Sequence, residues 1–345
     1  MAVEKALYTN GSLPPPVEEG EIIVEVENPD SVTVQTEDML MEMDFDEQTP
    51  TPGHYDNLVD YMDEGDLQAL GSELVGLFKA DHESRGKWEE SYVTGLDLLG
   101  LKFEERTQPW NGACGVFHPL LSEAVVRFQS QTIMEVFPAS GPAKTTIIGS
   151  LTEEKVKQAE RVQEYLNYLM TNEMTEYRTE TEKLLFSLPI AGSAFRKVYF
   201  DHALGRPCSM FVPAEDFVVN YGTSDLETAE RCTHVMKMES NELLKLQQSG
   251  WYADVELPAP SPDTTEIAEK YAKMTGFSPN YEVDQRHTLL EMMVNVDLVG
   301  FQDLDQGEPT NIGLPYVITV DKSSSTILSI RRNWKEDDDL KIKRQ

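Results

Sequence analysis

The sequence predicts an α+β fold in which N-terminal helices are followed by small antiparallel sheets, the whole preceded by an extended acidic arm. Three observations carry this expectation. Apolar residues recur at spacings of three and four through residues 66–187, the period changes to two after Pro189, and residues 1–66 hold 18 acidic side chains against a single base, Lys5. The chain therefore divides into an acidic extended arm over 1–65, a helical region over 66–187 and a mostly β region over 188–345 with two inserted helices.

The arm is rich in Pro, Glu, Asp and Thr and cannot bury a core alone. Only EIIVEVE at 21–27 alternates enough for a strand, so the arm is expected to be disordered unless neighbouring subunits hold it. From Asp66, the residues Leu67, Leu70, Leu74, Leu77 and Phe78 form one face of an amphipathic helix, and Trp88, Tyr92, Leu96 and Leu99 do the same over 88–101. The loop QPWNGACGVFHP, broken by Pro109, Gly112 and Gly115, leads to a helix over 120–136 that Pro138 ends.

A β-branched run at 143–148, bounded by Pro142 and Gly149, predicts a short strand. Thr152 is a suitable N-cap for a helical pattern reaching Phe186, as one helix or as two broken near Asn172; its Met residues suit a bundle face. Phe195, Lys197 and Tyr199 then alternate with Arg196, Val198 and Phe200, and a turn over 202–207 leads to 209–213, which reads as a hairpin. Strands are expected at 217–221 and 232–238. A helix over 241–249 ends at Gly250, and the loop LPAPSPD separates it from another over 264–274. Strands at 289–301, 316–320 and 326–332 complete the reading.

Composition narrows the function. The 345 residues carry a formal charge of -32, from 29 basic and 61 acidic side chains, and such a surface repels a phosphate backbone instead of gaining affinity by counterion release. A 40% hydrophobic fraction and a mean hydropathy of -0.41, without an apolar run of membrane length, predict a soluble protein. The N-terminus MAVEKALYTNGSLPPP lacks the basic and apolar regions of a secretory signal, so synthesis in a cytoplasm is expected. Cys114, Cys208 and Cys232 read as buried reduced thiols, and the six histidines, His54, His82, His118, His202, His234 and His287, have no metal-ligand spacing.

No catalytic, cofactor or metal residue is assigned. The chain lacks GxxxxGK[ST] and GxGxxG. Gly192-Ser193 lacks the second glycine of a nucleophile elbow, and Asp337, Asp338 and Asp339 read as a solvated charge run. Arg331, Arg332, Lys335, Lys341, Lys343 and Arg344 form the one basic segment, suited to an acidic protein surface or to a chain entering another element.

Two stretches carry a resemblance. LPIAGSAFRKVY (188–199), with Gly205-Arg206-Pro207 and VPAEDFVVNYGTSDLETAERCTHV (212–235), resembles the signature of podovirus-type phage portal proteins, and PYVITVDKSSSTILSIRRNW (315–334) resembles that family's second recurring stretch. The similarity spans most of residues 66–345. It implies the α+β wing of a homo-oligomeric ring of about twelve subunits at the capsid vertex of the virion. Such rings meet the terminase motor, tail adaptor proteins and the major capsid protein, pass double-stranded DNA transiently, and touch no membrane. Family members continue into a stem, a clip and a crown, so channel-lining and motor-contacting residues lie outside the resemblance. The residues it marks as structural are Gly192, Phe195, Arg196, Tyr199, Gly205, Pro207, Asp216, Tyr221, Arg231, Pro315, Arg331, Arg332 and Trp334. Among them, Gly192 would make a tight helix-to-strand turn, Phe195 and Tyr199 would fill the sheet core, and Arg196 or Arg231 would pair with Asp216 or Asp225. The second reading is another acidic virion or assembly protein that binds protein partners without forming a portal; a hydrolase is a distant third.

Overall fold

The computed structural model describes residues 23–28, 31–36, 39–44, 52–99, 110–112, 118–201, 204–260, 265–275, 285–305, 308–336, 338 and 341. The chain forms two units, Met1–Thr51 and Pro52–Gln345. In the first, β1 (Ile23–Asn28), β2 (Ser31–Thr36) and β3 (Met39–Asp44) pair in that order as an antiparallel meander. The expected strand at 21–27 corresponds to β1, and the rest of the arm's expected course lies outside the described residues.

The second unit contains helices and antiparallel sheets, as the periodicity requires. A 3-10 turn, Leu58–Tyr61, precedes α1 (Glu64–Ser84) and α2 (Gly86–Leu99). Residues 52–65 had been assigned to the acidic arm, and here the structure corrects the composition: Leu58 and Val59 are buried in the main core. The cause is Asn57, whose side chain accepts from the Ile330 amide at 2.9 Å and donates to the Leu328 carbonyl at 3.1 Å, fastening the segment to a distant strand.

After α3 (Leu120–Val136) come α4 (Glu153–Tyr168), a π turn at Leu169–Glu173, and α5 (Tyr177–Ala191). The long helical pattern is thus two helices, broken beside Asn172. Thr152 caps α4, its hydroxyl accepting from the Lys155 amide. α5 runs past the expected end at Phe186 with Pro189 inside its last turn, and Gly192 then closes the helix in the left-handed region at φ 81°. Residues 143–148 are not a strand. The Ala143 amide and carbonyl bond to Asn167 and the Thr145 amide bonds to Gln163, so α4 side chains take the place of a neighbouring strand.

β4 (Phe195–Asp201) and β5 (Arg206–Val212) form a hairpin of their own. The main sheet has five strands in the order β12-β11-β8-β7-β6. They are β6 (Phe217–Val219), β7 (Arg231–Met238), β8 (His287–Val296), β11 (Leu314–Asp321) and β12 (Ile327–Arg332); β9 (Leu304–Asp305) and β10 (Glu308–Pro309) make a small side hairpin. α6 (Ser240–Gln248) and α7 (Glu266–Thr275) are the two inserted helices. β6 is shorter than expected, since residues 220–223 turn through an Asn220–Thr223 side-chain bond, and β8 stops at Val296 before a turn at 298–301.

Both faces of the sheet are covered. Leu290, Met292 and Val294 of β8 join Tyr316, Ile318 and Val320 of β11 against Leu74, Val75 and Phe78 of α1. On the other face Leu289 and Leu328 meet Leu243 of α6 and Tyr252. Each of these buried side chains contributes about 1.5–3 kcal/mol, and double coverage explains why β8 reads as an apolar run instead of an alternation. Gly71 permits the close seating of α1, because a Cβ there would stand 2.0 Å from the Ser325 carbonyl oxygen.

Candidate functional site

The junction of α1 and α2 organises the part of the molecule with the most unusual chemistry. Arg85 donates to the carbonyls of Ala214 at 3.0 Å, Glu215 at 2.5 Å and Phe217 at 3.1 Å, and to Glu89 at 2.9 Å. One guanidinium thus satisfies the 3-10 turn Ala214–Asp216, which enters β6. Three residues on, the Trp88 indole donates to the Ala191 carbonyl at 2.9 Å and ties the end of α5 to α2.

These ties frame a cavity of about 650 Å³ between α2, α5, the 211–215 segment and α7. Tyr92, Phe186, Ile190, Phe211 and Tyr271 form its apolar and aromatic wall, and Glu215 borders it. Burial, reinforced by the neighbouring Asp216 carboxylate, pushes the Glu215 carboxyl up to about 7, against weaker opposition from Tyr92, Lys237 and Arg85. Glu215 Oε2 is sealed from solvent without a hydrogen-bond partner. Burial also raises the Tyr92 hydroxyl, which lies beside Glu215 and Ser187. The arrangement can exchange a proton near neutrality.

A second charged cluster lies on the sheet. Glu291 of β8 is paired with Lys197 of β4 and with His234 Nδ1 of β7 at 3.4 Å. Although burial acts against it, hydrogen bonds and charge from His234 and Lys197 hold the Glu291 carboxyl down at about 2. Together with the Phe195–Phe217 ring contact at 4.4 Å, this pair joins the β4–β5 hairpin to the sheet.

The residues marked by the resemblance do not meet in one site. Gly192 ends α5, and Gly205, at φ 64°, turns the hairpin, its amide donating to Asp201 at 2.8 Å. Pro207 pairs with Phe200 across that hairpin, and Pro315 with Asn295 between β11 and β8. Phe195 packs beside Tyr92 and Ala214, but Tyr199 is 41% exposed, which corrects its expected place in the core. Tyr221 projects into solvent.

The ion-pair expectations are corrected too. Arg196 donates to the Thr181 hydroxyl at 2.6 Å and lies over the Tyr177 ring, because β5, the hairpin partner of β4, bonds through its Phe211 amide to Glu180 of α5. Arg231 makes a two-point bond to Asp81 of α1 at 2.6 and 2.8 Å. Asp216 is raised by burial, with Lys237, His234 and Arg85 opposing. Asp225 accepts from the Glu227 amide instead. Arg331 donates to the carbonyls of Tyr55 at 2.6 Å and Trp251 at 2.9 Å, Arg332 to that of Gly53 at 2.8 Å, and the Trp334 carbonyl accepts from His54 at 3.0 Å. The marked residues at 331–334 therefore pin the entry segment.

Cys208 and Cys232 are buried, while Cys114 and His202 lie outside the described residues, as do Asp337, Asp339, Lys343 and Arg344. Among the described residues no group of three His, Cys, Asp or Glu side chains is placed to hold a metal ion. Glu215 and Ser187 were not singled out from the sequence, and Tyr92 was read only as part of a helix face. The available signal was the acid pair Glu215-Asp216 directly after an apolar strand and Pro213.

A third feature is surface. Between them, α3 with 17 residues and α4 with 16 bury one side chain, Val125. Phe128, Met134, Val162 and Tyr165 are exposed on them, as are Ile148 and Leu151 in the connection. Compared with known proteins, the chain matches no family model and no curated protein.

Proposed function

We propose that the chain is the wing portion of a phage portal subunit, a non-enzymatic component that self-associates into a ring through which DNA passes. The observation that carries the reading is the apolar surface left exposed on α3, on α4 and in the connection between them. Two long helices that bury one side chain between them leave an apolar surface of the kind that marks protein contacts. The sequence resemblance supplies the class of assembly, and its stretches supply the α5 end, β4 to β7, and the β11–β12 edge. A charge of -32 suits a surface past which DNA moves without sticking.

On this reading the ring sits at the capsid vertex of the virion and meets the terminase motor, tail adaptors and the major capsid protein. No described helix is long and apolar enough to cross a membrane. Native mass measurement and electron microscopy of the complete gene product test the proposal. The expected result is a closed ring of about twelve subunits with a DNA-wide opening. A monomer, or an open fibre, at all concentrations tried overturns it.

A further inference from the structure

We propose that the outer edge of β4 docks a second copy of this chain, which adds its own β4 antiparallel to the first and centred on Tyr199. The inference stands apart from ring formation and rests on the backbone of the β4–β5 hairpin.

A two-stranded ribbon has two outer edges, and here they are unlike. In an antiparallel pair, opposed residues alternate between those that exchange backbone bonds with each other and those whose amide and carbonyl point outward. Ser209 and Phe211 of β5 belong to the outward set, since the Ser209 amide donates to Glu176 at 3.3 Å and the Phe211 amide to Glu180 at 2.8 Å. Pro207, the next outward residue, has no amide hydrogen to offer. Side chains of the α5 region thus stand where a neighbouring strand would, and the β5 edge is closed.

The register carries the alternation across to β4. Arg196, Val198 and Phe200 lie opposite Phe211, Ser209 and Pro207, so their amides and carbonyls point away from the hairpin. Among the described residues no further strand pairs with β4 on that side. The side chains there are open as well: Val198 is 64% exposed and Phe200 54%, and Tyr199 and Leu204 beside them are exposed too. Outward backbone groups flanked by apolar side chains are a template for an added strand.

Charge and register select a second β4 as that strand. Centred on Tyr199, two copies place Val198 opposite Phe200, where each pair exchanges backbone bonds, and the two tyrosines opposite each other. The same register sets Lys197, which also serves Glu291, opposite Asp201 of the other copy, so unlike charges meet at both ends. Centring on Arg196 or on Lys197 would instead oppose like charges. Because the β5 edge is closed, addition ends at two copies with twofold symmetry and does not continue into a fibre.

The test is disulfide trapping in the full chain. Opposed residues of this type have Cα atoms about 4.5 Å apart, within disulfide reach. Mild oxidation of Tyr199→Cys should therefore give a covalent dimer linked through position 199 in both copies, read by peptide mass. Tyr221→Cys, at a site 85% exposed and away from β4, controls for chance collision and should give little. Val198→Pro removes an outward amide that the hairpin does not use, and should weaken pairing at least about tenfold in sedimentation while leaving the circular dichroism unchanged. Val198→Lys, which charges the edge without constraining the backbone, should act in the same direction and stands in should the proline variant fail to fold. Pairing should survive Lys157→Glu with Arg161→Glu on α4, so loss of rings and loss of pairs are read separately. No more covalent dimer from Tyr199→Cys than from Tyr221→Cys, a link from position 199 to any other segment, or unchanged pairing in folded Val198→Pro and Val198→Lys overturns the proposal.

Discussion

Two half-buried glutamates show how position sets chemistry at the scale of single residues. Glu291 is held at about 2 by His234 and Lys197, whereas its ordinary value is 4.5. A carboxyl depressed in the fold stabilises the folded state fully above its unfolded value, and that stabilisation is lost as pH falls from about 4.5 towards 2. Glu291→Gln should therefore cost about 2–3 kcal/mol at pH 7, and the gap to the unaltered protein should narrow below about pH 4.5. Urea unfolding at pH 7 and pH 4 measures both; an equal cost at the two values would refute the pairing. Glu215 behaves with the opposite sign. Raised to about 7, it withdraws stability as pH climbs from 4.5 to 7, so Glu215→Gln should be near neutral at pH 4 and stabilising at pH 8. Neither role was legible in the sequence, because Glu291 depends on partners far along the chain and Glu215 on the burial that the fold imposes beside Asp216. Arg231 illustrates the point, since its partner Asp81 is 150 residues away while the nearby Asp216 and Asp225 were the readable candidates.

Elements were more legible than pairings. The apolar spacing that predicted α1 and α2 is the spacing that packs them, and the switch to period two at Phe195 marks the true start of β4. Failures arose where side chains, not backbone, satisfied a segment. Residues 143–148 have strand composition, but Asn167 and Gln163 occupy the hydrogen-bonding groups that a neighbouring strand would have used. Asn57 likewise recruits a stretch whose charge resembled an arm. These contacts lead to a prediction about α4. Asn167→Ala removes two bonds to Ala143, one at 2.8 Å and one at 3.2 Å, together worth about 2 kcal/mol. Amide exchange at Ala143 should then accelerate about thirtyfold, while the amides of β8, protected by strands on both sides, should exchange as before. Unaltered exchange at Ala143 would mean that the 143–145 segment is held by other contacts.

Charge governs the molecule as a whole, and it is unevenly spread. Residues 1–66 hold 18 acids and one base, whereas residues 120–168, which contain α3 and α4, hold six acids and five bases. Copies of a chain with a charge of -32 repel one another at a distance, yet the face that the fold leaves apolar is also the face closest to neutral. If self-association uses this face, attraction there is short-ranged and hydrophobic, and the opposing term is the long-range repulsion of everything else. Salt acts on the second term alone, since the Debye length shrinks from about 10 Å at 0.1 M to about 3 Å at 1 M. Raising salt from about 0.05 M to about 0.5 M should therefore shift the complete protein towards rings at fixed concentration. A pair of charge reversals, Lys157→Glu with Arg161→Glu, should make assembly weaker at low salt and restore most of it at high salt. Ring mass distributions across a salt series measure both effects. Faster dissociation in high salt would instead show that opposite charges on neighbouring copies supply the attraction, and the apolar α3–α4 face would then lose its role in holding the ring.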